Sequence, residues 1–79
     1  MDTKELSYEV IRPIGIISEK NNYKKEVNLI SWNGRTPVYD IRGFRVGSDG
    51  KKYPLKGISM SITDLGALKK ILSQIDTEE

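Results

Sequence analysis

The chain has 79 residues, 37% hydrophobic and 30% charged, with a formal net charge of +2 and neither Cys nor His. That length holds one domain, residues 1–79 with frayed ends and a modest core over about residues 8–75. The missing residue types exclude disulfides, thiolate metal sites, and the commonest general base and zinc ligand.

With those staples gone, a partner subunit is the remaining way to support so small a core, which predicts a homodimer. No stretch approaches the ~18 apolar residues of a membrane span. The polar start Met1-Asp2-Thr3-Lys4-Glu5 is no signal peptide. A cytoplasmic protein, nucleoid-associated if it binds DNA, is therefore expected, in keeping with the absence of cysteine.

Leu6 to Ser18 is rich in β-branched residues and reads as a strand, with Tyr8, Val10, Arg12, Ile14 and Ile16 on one parity. Pro13 points to an edge position or a bulge. Glu19 to Asn22 is polar and ends in Asn-Asn, a loop signal. Lys24 to Trp32 is a second strand, with Val27 and Leu29 alternating with Lys24, Glu26 and Asn28. Asn33-Gly34 predicts a tight turn, because both residues tolerate positive φ. Val38 to Val46 is a third strand. A turn cluster at 47–50 follows, then a basic margin carrying Pro54, then a short fourth strand from Lys56 to Met60.

The hydrophobic period then changes. Ile62, Leu65, Leu68, Leu72 and Ile75 recur at three and four, which predicts one amphipathic helix. Ser61 and Asp64 form a capping-box-like start. Lys69 and Lys70 offset the C-terminal dipole. Gly66 costs this helix about 1 kcal/mol relative to Ala and is read as permitting close packing on the sheet. The acidic end Asp76-Thr77-Glu78-Glu79 reads as a frayed tail. The expected fold class is α+β, a four-stranded antiparallel sheet followed by one C-terminal helix.

Charge is unevenly spread. Residues 20–56 hold nine of the thirteen cations, five of the six aromatics and three of the eleven acids, a formal +6 against −4 elsewhere. Cations interleaved with rings suit single-stranded nucleic acid, whose backbone is anionic and whose bases expose π-faces. Strand parity turns Val27, Leu29, Tyr39, Ile41, Ile58 and Met60 toward the helix. It turns Lys24, Trp32, Arg42 and Phe44 to an opposite, outer face.

Arg42 could instead pair with Asp40 or Glu26 across the sheet. The rings beside it favour ligand contact. Trp32 has a competing role as dimer core. Lys51 and Lys52 equally suit a solvated turn. Tyr39 and Tyr53 suit core or margin packing better than base stacking. Asp40 and Asp49 are no catalytic pair, and Ser59 and Ser61 lack a histidine. No catalytic residue, cofactor, metal or small-molecule substrate is expected.

Two segments carry a family resemblance: Val38-Tyr39-Asp40-Ile41-Arg42-Gly43-Phe44, and Lys52-Tyr53-Pro54-Leu55-Lys56-Gly57-Ile58-Ser59-Met60 before a helix. Together they resemble the C-terminal domain of the transcriptional coactivator positive cofactor 4. Ser18-Glu19, Tyr23-Lys24-Lys25-Glu26 and Ser31-Trp32-Asn33 are similar to its short bacterial relatives of the YdbC type. The resemblance runs from about Tyr8 to Ile75. It implies a curved sheet, a homodimer with helices at the interface, and single-stranded DNA bound on the sheets.

By the same resemblance, Arg42 matches the family's sheet arginine. Lys52 and Lys56 match its basic positions, and Trp32 lies near its aromatic at the end of the second strand. Tyr23, Lys24 and Lys25 match the bacterial aromatic-basic run. Arg45 departs from the family, standing where the coactivator has an aromatic, and the coactivator's basic hairpin is reduced to Arg35.

The resulting expectation is a non-enzymatic single-stranded DNA-binding protein of low sequence specificity, acting in transcription regulation or DNA maintenance. Its contacts would be Tyr23, Lys24, Lys25, Trp32, Arg42, Phe44, Arg45, Lys52 and Lys56. A protein-interaction module for an acidic partner, or RNA binding on the same surface, are the alternatives.

Overall fold

The computed structural model describes residues 7–77. The expectations for Met1 to Leu6 and for Glu78 and Glu79 lie outside them. Four strands, β1 (Tyr8–Lys20), β2 (Tyr23–Trp32), β3 (Val38–Val46) and β4 (Lys52–Met60), precede one helix, α1 (Ile62–Leu72). The strands form one antiparallel sheet in the order β1-β2-β3-β4. The α+β class and the order of elements are as the sequence implied.

Local chemistry explains the boundaries. Asn33 and Gly34 take φ of 52° and 76°, and the Arg35 N–H closes the turn on the Trp32 carbonyl at 2.9 Å. The first turn is tighter than expected: only Asn21 and Asn22 separate β1 from β2, with Asn21 at φ 56°. The Ser61 hydroxyl accepts the Asp64 N–H at 3.1 Å and caps α1. Lys69 and Lys70 occupy its last turn.

β1 departs from simple alternation. Its register against β2 shifts at Val10/Arg12, Pro13/Gly15 and Ile16/Ser18. Tyr8 and Val10 pair with Trp32 and Ile30, whereas Arg12 pairs with Leu29, on the other face. The expected common parity of Tyr8 through Ile16 therefore fails, because each bulge moves one residue across the sheet. Bulges also bend and twist a strand. A further shift lies between Arg42 and Phe44 against β4.

The bending is strong enough to close one face on itself. In a flat sheet β1 and β4 would lie about 14 Å apart, three strand spacings. Here the Tyr8 hydroxyl donates to the Lys52 carbonyl at 3.0 Å, reaching from β1 to β4. The Tyr8 ring lies 5.6 Å from that of Trp32 and 5.7 Å from that of Phe44. The concave side is thus filled by its own side chains. Ile30 and Phe44 are fully buried there, beside the polar Asn28, Glu26 and Asp40.

The helix lies on the convex side and touches β3 and β4. Ile41, Ile58 and Met60 face Ala67 and Leu68 across a cleft of about 440 Å³. The predicted helix-facing set is on the predicted side, yet no helix residue is buried. Gly66 has nothing within 4 Å of where a Cβ would stand, so it does not serve close packing.

Candidate nucleic-acid interface

Lys24, Trp32, Arg42 and Phe44 do share one face, but it is the concave interior rather than an outer surface. Phe44 is 0% exposed, so its ring is core and is not offered to a base. It lies under Tyr8, with the Lys52 Nζ 4.8 Å from its centroid. This corrects the stacking role expected of it. Trp32 is half-buried between the Tyr8 ring and the Arg42 guanidinium, which lies 4.6 Å from its centroid.

Arg42 takes the pairing that the sequence offered as an alternative. Its Nε and Nη2 donate to the two Asp40 oxygens at 2.7 and 2.9 Å, and its Nη1 donates to the Leu55 carbonyl at 2.8 Å. The Ser59 hydroxyl donates to the same carboxylate at 2.6 Å. A buried carboxylate needs this full set of partners. Gly57, opposite Arg42, has no room for a side chain: a Cβ there would stand 2.0 Å from the Arg42 Cβ. The Asp-Ile-Arg and Gly-Ile-Ser segments are therefore one device, with Asp40, Arg42 and Ser59 bonded together over the bare Gly57 backbone.

Lys52 is likewise engaged. Its Nζ lies 2.9 Å from Glu26, which also accepts from the Asn28 amide at 3.0 Å. Burial alone would raise the Glu26 carboxyl. The Asn28 and Lys52 hydrogen bonds and the charges of Lys52 and Lys24 outweigh it and hold the group below its ordinary 4.5. The folded protein then binds fewer protons here than the unfolded chain, so Glu26 stabilises above about pH 4.5 and that share is lost as pH falls further. Thermal melts between pH 7 and pH 3 should show this loss, and Glu26→Gln should flatten it. Two cations and two acids, Arg42, Lys52, Asp40 and Glu26, thus neutralise one another inside the curl.

The free charge lies elsewhere. At the end of the sheet away from the helix, Lys20 pairs with Tyr23, Tyr23 with Arg45, and Arg45 with Tyr53, a row across all four strands. Cross-strand partners lie on one face, here the convex one. Tyr23 is 54% and Tyr53 39% exposed. The Arg45 guanidinium lies 5.4 Å from the Tyr53 ring centroid. The Tyr53 hydroxyl donates to Asp49 at 2.5 Å, which lowers the Asp49 carboxyl and raises the Tyr53 phenol. Gly47 leaves room for that ring, since a Cβ there would come within 2.9 Å of it.

Lys25 is exposed next to this row, and Lys56 is exposed in the bulged part of β4. Lys24 is half-buried and only loosely paired with Glu19, at 3.8 Å. The expected contacts therefore divide. Tyr23, Lys25 and Arg45 line the convex tip, while Trp32, Arg42, Phe44 and Lys52 belong to the concave cluster. Lys20 and Tyr53 were missed as members of the row. Their register partners supply the signal, and bulges hide that register from simple parity.

This curled sheet with one following helix joins the two motifs into a single hydrogen-bonded device around the buried Asp40. A family model described as "Transcriptional Coactivator p15 (PC4)" matches residues 20–71, which span both motifs and most of the helix. The chain belongs to the transcriptional coactivator p15 (PC4) family. It is also 33% identical over 75 residues to an uncharacterized protein of Treponema pallidum (strain Nichols), covering 94% of this chain and 85% of that one. The PC4 family is one of single-stranded DNA-binding transcriptional coactivators. Among the described residues no cluster could hold a metal, and no helix is long and apolar enough to cross a membrane.

Proposed function

We propose that this chain is a non-enzymatic, homodimeric single-stranded DNA-binding protein of low sequence specificity, cytoplasmic or nucleoid-associated, acting in transcription regulation or DNA maintenance. The observation that carries the reading is the tip row of Lys20, Tyr23, Arg45 and Tyr53, where exposed cations alternate with exposed rings. Lys25 and Lys56 extend its positive charge, and Lys24 and Trp32 border the path from the concave side. Rings stack on any base and cations attract any phosphate, so little sequence information is read. Arg42 and Lys52 support the surface from within by holding Asp40 and Glu26.

Four cations with no ion pair among the described residues, Lys20, Lys25, Arg45 and Lys56, each neutralising one phosphate, correspond to a slope of log affinity on log salt of about −3. An anisotropy titration should show single-stranded DNA bound well ahead of duplex, with that salt dependence and a change in Trp32 fluorescence. A parallel RNA titration separates the two nucleic acids. No binding at low salt would discard the reading, and capture of acidic proteins without competition by oligonucleotide would replace it with a protein-interaction role.

The dimer rests on a separate observation. Ile58, Ile62, Ile71, Leu72 and Ile75 are each more than half exposed around α1, an apolar patch of the kind that marks an interaction site. Sedimentation should give twice the chain mass. Replacing both Ile71 and Leu72 with Glu should give the single-chain mass.

A further inference from the structure

A cleft of about 210 Å³ opens beside the tip row. Gly43, Leu55 and Tyr23 line it, together with Ser18 and the lysines at 20, 24 and 25. Gly43, which has no side chain, is part of its lining. Glycine inside a strand is costly relative to Ala, so its presence calls for a reason. Gly57 has a steric one. Gly43 does not: a Cβ there would lie 3.6 Å from Leu55 Cδ1 and 3.7 Å from the Lys24 carbonyl, ordinary contact distances. Its φ is not in the left-handed region either. Gly43 thus leaves a place where a side chain would rest in ordinary contact on Leu55.

The lining of that space is specific. Leu55 and the Gly43 backbone contribute carbon and Tyr23 a ring, and of the three lysines that line it Lys20 and Lys25 have no ion pair among the described residues. A bare anion would leave the apolar lining unused. An apolar side chain of a protein partner would leave the lysines unused. A flat base carried between two phosphates uses both.

We propose that this cleft is a slot for one base of the bound strand, seated on Gly43 and Leu55 against Tyr23, with its flanking phosphates on Lys20 and Lys25. The proposal rests on the single-stranded DNA reading and assigns that strand a fixed point on the convex face.

Gly43→Leu tests it, since a leucine there fills the slot and removes no charge. Two probes are needed: a short oligothymidylate and the same strand with abasic sites, which keeps the phosphates and lacks the bases. The native protein should prefer the oligothymidylate about tenfold, in keeping with base–aromatic stacking. Gly43→Leu should erase that preference by weakening the oligothymidylate alone, with the salt slope and melting temperature kept. Tyr23→Ser, at an exposed side chain the fold does not need, should erase it too.

If either variant keeps the full preference while folded, the slot is overturned and DNA binding stands. If the native protein binds both probes equally, the slot is again overturned. If the native protein binds neither at low salt, the DNA reading itself fails.

Discussion

Arg42→Ala is expected to destabilise the protein by about 3–5 kcal/mol, the cost of leaving a buried carboxylate without its partner. Asp40 is fully buried, and among the described residues Arg42 supplies two of the three hydrogen bonds to its carboxylate. A small domain is stable by roughly 5–15 kcal/mol in all, so the variant should sit near its unfolding threshold. Urea denaturation measures the loss. Adding Asp40→Asn should recover part of it, because a neutral amide is cheaper to leave unpaired than a charge. A double-mutant cycle over the two positions then isolates the pair. If Arg42→Ala melted like the native protein while DNA affinity collapsed, Arg42 would be a surface contact and the internal assignment would be wrong.

Phe44→Ala should cost a further large amount, about 3–5 kcal/mol, the usual range for deleting a buried aromatic. Among the described residues Phe44 is the largest fully buried side chain, and the Tyr8 ring and Lys52 ammonium both lie against it. The informative comparison is with Arg45→Ala. That side chain is exposed, so its removal should shift stability by no more than about 0.5 kcal/mol while weakening oligonucleotide binding. The two variants thus separate the ring that holds the curl from the cation that faces the strand. The opposite outcome, a stable Phe44→Ala that no longer binds DNA, would return Phe44 to the interface.

Both expectations follow from the inversion of the sheet's faces. Alternation in β2 and β3 correctly divides Lys24, Trp32, Arg42 and Phe44 from Val27, Leu29, Tyr39 and Ile41. A sheet covered by one helix would normally bury the helix side and leave the other to solvent. Here the uncovered side is the more buried one, because bulges in β1 and at the β3–β4 pairing curl it until Tyr8 reaches Lys52. Arg42 and Lys52 then become internal counter-ions. The tip of the convex face is left with the exposed cations Lys20, Lys25 and Arg45.

Much was legible in the residues alone. The four strands, the Asn33-Gly34 turn, the Ser61 cap, the helix and the basic window depend on positions close together in the chain, where dihedral preference and hydrophobic period act directly. The pairing of the two family motifs into the Asp40, Arg42, Gly57 and Ser59 device, the burial of Phe44, and the row from Lys20 to Tyr53 do not. They depend on register and curvature, which arise from bulges and from contacts between strands far apart in sequence. Alternation determines which side chains share a face; only the closed tertiary structure decides which face is inside, because burial is a property of the whole curled sheet.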